Sequence, residues 1–411
     1  MKNLFILHPS SLILHPLFAM LMFANLTVLS IEQATTLPYL TLHLAQEGMR
    51  VIRVENPPRG DPNRWVGANV LGEEGMNAYF LPNNAGKEAI TLNLACDEGK
   101  KILHTLVEKL AVDIFATNQR PKDYAKLGMN YETLRAIKPD LIWIGITGFG
   151  PDSNEAAYDP VMQARAGFMD LTGERDRTPL VFGLPIVDLG AGEHAYGQVM
   201  RALYLRECTG AGSRVDISMF QSAVSWMVSP VMLTKSFGQS VERRGNTHQF
   251  FAPVSVYPTR DGFVYVAVGN DKQWEAIVAT KAFASLAHGE YARNAGRIAA
   301  VKALNDAIGA ITLNKTTQEW IEFFSALGVP VSRVNPIRDV IQDDLVRGKM
   351  ITAHDPRTGT TVHLPPPAVE TEFLRQQNRS MKFPPRLGED NEKILGALGH
   401  DVAALKGKGV I

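Results

Sequence analysis

Two carboxylates of this chain stand in apolar or aromatic surroundings, where a carboxylate can do chemistry. Asp188 stands between the apolar run Leu184–Val187 and the small-residue stretch Gly190-Ala191-Gly192, and Asp159 lies between Tyr158 and Pro160. A carboxylate is a weak nucleophile in water. Partly desolvated near a helix N-terminus it can attack an acyl carbonyl, and glycines nearby let backbone N–H groups approach the oxyanion that develops. From local sequence alone Asp188 is more simply a helix N-cap, and Asp159 is as well placed to cap the helix after Pro160. A third polar group is His248 with Arg243 and Arg244 just before it; a packed loop histidine is an equal reading of it.

Other chemistries lack their motifs. The sequence holds no GxxxxGK[ST] loop, no HExxH and no GxSxG, and the first β-α turn, Glu32-Gln33-Ala34-Thr35-Thr36, lacks the GxGxxG of a dinucleotide fold. Gly210-Ala211-Gly212 reads as a turn between a helix and a strand. Lysine plus arginine (42) balances aspartate plus glutamate (42), so no net field gathers nucleic acid or an anionic membrane, and any anionic ligand must be held locally. Cys96 and Cys208 are the only cysteines and form no CxxC pair, which argues against a disulfide scaffold or zinc ribbon and for a reducing, cytoplasmic setting.

At 411 residues the chain is long enough for two cores. Residues 1–24 are an apolar, low-complexity leader with Ile-Leu-His-Pro at 6–9 and again at 13–16, expected to be dispensable rather than a true export signal. From Leu26 the pattern alternates. Apolar runs at Leu26–Ile31, Arg50–Glu55, Glu88–Leu92, Asp113–Ala116, Leu141–Thr147 and Arg214–Ile217 read as buried strands. Helical patterns to about Gln46 and near 98–110, 121–127, 131–137, 160–172 and 192–206 lie between them. This is a doubly wound α/β domain with helices on both faces of a parallel sheet, over 25–225. Ser218–Phe237 reads as a helix leading out, with a linker at 226–244. Residues 245–330 form a smaller α+β domain with a β pair around the Thr259-Arg260-Asp261-Gly262 turn, and 331–411 return to the first domain.

Many short segments in one order resemble the class III CoA-transferases, which include formyl-CoA and carnitine CoA-transferases and have α-methylacyl-CoA racemases as relatives. They are Val51-Ile52-Arg53-Val54-Glu55 with Gly60-Asp61-Pro62, Asn83-Asn84 with Lys87, Asp97-Glu98-Gly99-Lys100, Asn118 to Gly128, and Thr147-Gly148-Phe149-Gly150. The series continues with Tyr158-Asp159 and Gln163, Asp188-Leu189-Gly190-Ala191-Gly192, Thr209 to Asp216, Gly245-Asn246, Gly269-Asn270-Asp271, Gly328-Val329-Pro330 and Leu387-Gly388-Glu389.

The resemblance implies a large Rossmann-like domain built from both chain ends, a smaller domain, and an interlocked homodimer. It makes Asp188 the nucleophile on an acyl-CoA thioester, with Gly190 and Gly192 in the turn beside it, and a free carboxylic acid as second substrate. No cofactor is permanently bound. It assigns coenzyme A contacts to Thr35, Thr36, Leu92, Asn93, Asn118, Gln119, Arg120 and Lys126, with Arg64 and Lys87 as further basic candidates, and substrate contacts to Tyr158, Asp159 and His248. The racemases carry histidine where Tyr158 stands, and tyrosine, with a side-chain pKa of about 10, is a poor base at neutral pH. Transfer is therefore favoured over epimerisation, with a silent subunit of a two-chain enzyme as a third reading. Formyl-CoA transferase has Gln-Ala at Thr35-Thr36, a basic residue at Asn56 and a glycine-rich loop where Gly245–Gln249 stand, so a formate/oxalate pair is disfavoured; Arg243, Arg244 and His248 suit the second carboxylate of a succinyl-type donor.

Overall fold

A computed structural model describes residues 23–411; apart from Phe23 and Ala24, the leader lies outside the described residues. Six strands form one parallel sheet: β1 (Thr27–Ile31), β2 (Arg50–Glu55), β3 (Glu88–Thr91), β4 (Ile114–Thr117), β5 (Ile142–Thr147) and β6 (Ser213–Ser218), in the order β3-β2-β1-β4-β5-β6. Their sequences explain their places. Strands β1, β3, β4 and β5 are buried at every position, as a sheet covered on both faces requires, whereas β6 is at the edge and buries only Ser218 fully. The helices α1 (Thr36–Gln46), α2 (Asp97–Lys109), α3 (Pro121–Tyr124), α4 (Tyr131–Ile137), α5 (Asp159–Arg165), α6 (Ile186–Thr209) and α7 (Met219–Ser225) connect or flank these strands.

Most of the elements expected up to Phe237 stand within a residue or two of their positions, and four differ. The helix expected over 160–172 ends at Arg165, because Gly167 turns the chain with φ +87°. The helix expected at 121–127 is a single turn, Pro121–Tyr124. Ser218–Phe237 is two helices parted at Trp226 and Met227. The helix expected at 192–206 begins six residues earlier, at Ile186, which changes the setting of Asp188.

The contacts divide the chain into two units. The larger comprises residues up to Ala166, Leu184–Val228 and Gly348–Ile411; the smaller is Gly167–Gly183 with Ser229–Arg347. Residues 167–183, expected in the large domain, thus group with the small unit, which also runs on past 330. Within the small unit β7 (Val254–Thr259), β8 (Gly262–Ala267) and β9 (Val331–Arg333) make an antiparallel sheet. It packs with α8 (Asp271–Val278), α9 (Val301–Thr312) and α10 (Thr317–Ala326) around Trp274, Phe283, Trp320 and Phe324.

The last segment of the chain completes the large unit. Asp390 Oδ2 accepts from Ala89 N (2.9 Å) and Asn391 Oδ1 from Thr91 N (2.8 Å), which cover the otherwise open edge of β3. Ile394, Leu395, Leu405, Val410 and Ile411 then enter the core formed by β1–β5 and α2. Among the described residues no helix is long and apolar enough to cross a membrane.

Candidate active site

The strand order reverses direction between β1 and β4, and in such sheets the crevice outside the carboxyl ends of these two strands is where ligands are held. The loop leaving β1 is fixed there from both sides. On the β4 side, Asn118 takes Gln33 in a two-way grip: its Oδ1 accepts from Gln33 N (3.1 Å) and its Nδ2 donates to Gln33 O (2.8 Å). On the β2 side, Asp61 Oδ1 accepts from Ala34 N (3.0 Å) and Asn63 Nδ2 donates to Ala34 O (2.8 Å). Ala34 is thereby held at φ +62°, a left-handed conformation that side-chain-bearing residues seldom adopt unless surroundings impose it. The chain then enters α1 at Thr36.

Asp188 meets Thr36 from the opposite side. Pro185 offers no side-chain cap to α6, and the cap comes from a distance: Asp159 Oδ2 accepts from Val187 N (2.7 Å) and Asp188 N (3.2 Å). Gln163 Nε2 in turn donates to Asp159 Oδ1 (2.5 Å). Asp188 therefore lies in the first turn of α6, where the helix dipole favours its negative form. The Thr36 hydroxyl donates to Asp188 Oδ1. Burial, helped by the neighbouring Asp159 carboxylate and opposed by the Thr36 hydrogen bond, pushes the Asp188 carboxyl up to about 6.

Thr36 and Asp188 line a cavity of about 330 Å³ with Gln33, Asn118, Gln119, Arg120, Lys122, Tyr158, Asp159 and Met219. A second cavity of about 410 Å³ shares Gln33 and Gln119 with it and runs over the ends of β1, β2 and β3, with Leu92, Leu94 and Leu127 as apolar walls. Glu32, Glu55 and Asp61 also border this cavity, their side chains turned into a buried ionic network in which these three carboxylates face three cations, Arg53, Arg64 and Lys87. Lys87 Nζ donates to Glu32 (2.8 Å), Pro38 O (2.9 Å) and Asn84 (3.1 Å), using all three of its hydrogens. Burial alone would raise Glu55, but Arg53 and Arg64 carry it down to about 2.

The comparisons with known proteins agree with one another. The model of CoA-transferase family III matches residues 23–391. The chain belongs to that family. It is 30% identical to the succinate–glutarate CoA-transferase of Agrobacterium fabrum, an alignment covering 91% of this chain and 95% of that one. It is 33% identical to the acetyl-CoA:oxalate CoA-transferase of Acetobacter aceti, over 78% and 82%. Among solved structures, a CaiB/BaiF family protein from Brucella suis superposes with a TM-score of 0.79 at 29% identity, covering 91% of this chain and 98% of the other.

Of the residues to which the resemblance to family III CoA-transferases had given a role, Thr36, Asn118, Gln119, Arg120, Tyr158, Asp159 and Asp188 come together around the first cavity, and Leu92 lines the second. The remainder stand elsewhere. Thr35 is buried and lines neither cavity. Asn93 is occupied with the C-terminal segment, its Nδ2 donating to Gly409 O (3.2 Å), and Lys126 is exposed away from both cavities. His248, in the small unit, accepts from Phe250 N at Nδ1 (3.1 Å) and stacks near Phe250 and Phe251.

Other assignments need correction. Gly190 and Gly192 are not in a turn: both lie inside α6 and serve packing, since a Cβ on Gly190 would clash with the Trp226 ring and one on Gly192 would stand 2.8 Å from Tyr39. Arg64 and Lys87 are consumed by the buried network and cannot reach a ligand. Arg243 is bound to the Asp170 side chain (2.9 Å) and to the Asp170 carbonyl (3.0 Å), so it anchors residues 167–183 rather than standing free. Sequence reasoning missed Gln33, Lys122 and Met219. The position of Gln33 directly after β1 was the available signal, because the switch point of the sheet falls there.

Proposed function

We propose that this enzyme moves coenzyme A between carboxylic acids through a covalent intermediate on Asp188, with a dicarboxylic acyl-CoA of the succinyl type as donor. The observation that carries this reading is Asp188 itself: a half-buried carboxylate, shifted to about 6, opening on a cavity with one oxygen held by Thr36 and Oδ2 without a hydrogen-bond partner among the described residues. At pH 7 it is ionised by about ten to one, yet poorly solvated, which is the state a carboxylate nucleophile needs. The names of the relatives, succinate–glutarate CoA-transferase foremost, support the choice of dicarboxylic substrates.

In the first step Asp188 Oδ2 attacks the thioester carbonyl, the C–S bond breaks and CoA leaves as thiolate, giving a mixed anhydride. The thiolate then attacks Asp188 Cγ and expels the first acid, carrying away Oδ2 and leaving an aspartyl-CoA thioester. An incoming carboxylate attacks the same carbon and releases the thiolate, which finally takes the new acyl group. No proton or electron is gained or lost, and the thioester energy is retained. The CoA moiety lies along the two adjoining cavities. Arg120 and Lys122, which have no acidic partner among the described residues, face its phosphates, and the apolar walls of the second cavity take the adenosine end. The working unit is a cytoplasmic homodimer, on the family resemblance.

Racemisation is disfavoured, since no histidine is among the residues lining the cavity and Tyr158, which the resemblance matches to the racemases' histidine, is a poor base at neutral pH. The decisive test is intact-protein mass spectrometry of wild type and Asp188→Ala mixed with a panel of acyl-CoAs, succinyl-CoA included, without acceptor. A hydroxylamine-labile adduct of CoA mass on wild type alone is expected. Absence of any adduct together with α-deuterium exchange would replace transfer by racemisation.

A further inference from the structure

The hydrogen bond from Thr36 to Asp188 joins a helix that begins after β1 to one that begins 150 residues later, and it distinguishes the two carboxylate oxygens. Oδ1 accepts the Thr36 hydroxyl; Oδ2 accepts nothing among the described residues. The hydroxyl has one hydrogen, and its other neighbour, Met219 Sδ at 3.9 Å, is a weak acceptor, so the carboxylate takes it. Nor is Thr36 free to swing. It is buried, its χ1 is restricted by β-branching, and the backbone before it is gripped by Asn118, Asp61 and Asn63.

We propose that Thr36 is a catalytic residue, the side-chain donor that stabilises the oxyanion formed on Asp188 itself. This rests on the covalent reading above and deepens it. If the free Oδ2 attacks the donor, Oδ2 leaves with the first acid, and Oδ1 remains as the carbonyl oxygen of the aspartyl thioester. When the acceptor carboxylate adds to Cγ, the carbonyl π pair moves onto Oδ1. The tetrahedral adduct then collapses, the C–S bond breaks, and the CoA thiolate leaves with the bonding pair, giving the second anhydride. Two of the four steps pass through this oxyanion, and Thr36 Oγ1 already points at the atom that carries it. A donor fixed beforehand needs no reorganisation as charge develops, which is where such groups act most strongly. Steps at the acyl carbon place their tetrahedral oxyanion on the acyl oxygen, outside the Thr36 bond.

The experiment follows the discharge of preloaded enzyme. Wild type, Thr36→Val, Thr36→Ala and Thr36→Ser are loaded with succinyl-CoA, freed of excess donor, mixed with glutarate, and quenched for intact-mass analysis of the CoA adduct. Losing one preorganised oxyanion donor predicts discharge about 10²-fold slower in Thr36→Val and Thr36→Ala, in the maximal rate rather than in the glutarate concentration for half-maximal rate, with Thr36→Ser restored to near the wild-type rate. A role confined to packing would let isosteric valine discharge normally, and that result overturns the proposal while leaving the covalent reading intact. Thr36→Ala keeps the test open should valine perturb the fold, which circular dichroism checks. A wild type that takes up no CoA overturns both.

Discussion

Asp188→Asn should make the protein more stable, and by an amount that depends on pH. The native carboxyl is raised to about 6 from an ordinary 3.8, chiefly by burial. A group whose folded-state value lies above its unfolded one favours the native state fully below the unfolded value, and that contribution is lost as pH rises through the folded value. The difference between about 6 and 3.8 corresponds to about 3 kcal/mol. Working through the linkage, ionising Asp188 weakens the native state by about 0.6 kcal/mol at pH 4, about 1.6 at pH 5 and about 3 at pH 8. Asparagine keeps the shape and can still accept the Thr36 hydroxyl, so the variant removes only the charge. Urea denaturation of both proteins at pH 5 and pH 8 is the assay, followed by probes in the large unit because a two-unit chain need not unfold in one transition. The expected result is a stability gap in favour of the inactive variant that widens between these pH values. Curves that keep the same spacing at both would mean that Asp188 titrates normally, and the argument for a poorly solvated nucleophile would fail. In active enzyme the same ionisation predicts kcat/KM rising with pH on a limb near 6.

Three further outcomes are expected. Replacing Arg120 and Lys122 together by alanine should weaken binding of CoA by about tenfold and flatten its salt dependence, measured by calorimetry at two ionic strengths. Gly190→Ala should destabilise the large unit by about 1–3 kcal/mol despite its better helix propensity, because the added methyl meets the Trp226 ring; Trp226→Leu in the same chain should recover most of the loss, read by thermal denaturation. Asp61→Asn leaves the buried cations one carboxylate short and should lower stability by about 3–5 kcal/mol, as seen in the urea midpoint.

The sheet was legible because each strand is an apolar run bounded by turn residues, and because helices and strands alternate at the spacing of a parallel sheet. The start of α6 was not, and the reason is physical. Helix starts are read from a capping side chain at the first turn, and Pro185 supplies none; Asp159 satisfies the Val187 and Asp188 N–H groups from elsewhere in the sequence. With its cap in another segment, Leu184–Val187 reads only as an apolar run and Gly190 and Gly192 as a turn, although both glycines are there to let Trp226 and Tyr39 approach the helix. Lys87 and Arg64 failed for a related reason. A lysine that matches a phosphate-binding pattern and a lysine paired with Glu32 across 55 residues have the same local sequence, and only the parallel alignment of β1, β2 and β3 brings the partners together. Asn118, Gln119 and Arg120 reach the crevice because they directly follow β4, where topology alone brings them there.

The buried network is better understood through the loop it holds than through the stability it adds. Replacing three carboxylates and three cations by apolar side chains of similar volume is often neutral or stabilising in proteins, so burial of six charges is no economical way to build a core. What an apolar replacement cannot supply is the acceptor at Asp61 Oδ1, which binds Ala34 N and Asn63 N while Oδ2 takes Arg53. Asp61 must be fixed to hold Ala34 in its left-handed conformation, and Arg53, itself paired with Glu32 and Glu55, holds the other oxygen of Asp61 in place. The conformation of Ala34 sets where α1 begins, and the beginning of α1 sets where the Thr36 hydroxyl points. A chain of salt bridges without solvent contact thus ends at one oxygen of Asp188, and the rigidity of that oxygen, more than any gain in folding free energy, is the consequence of the network that reaches the cavity.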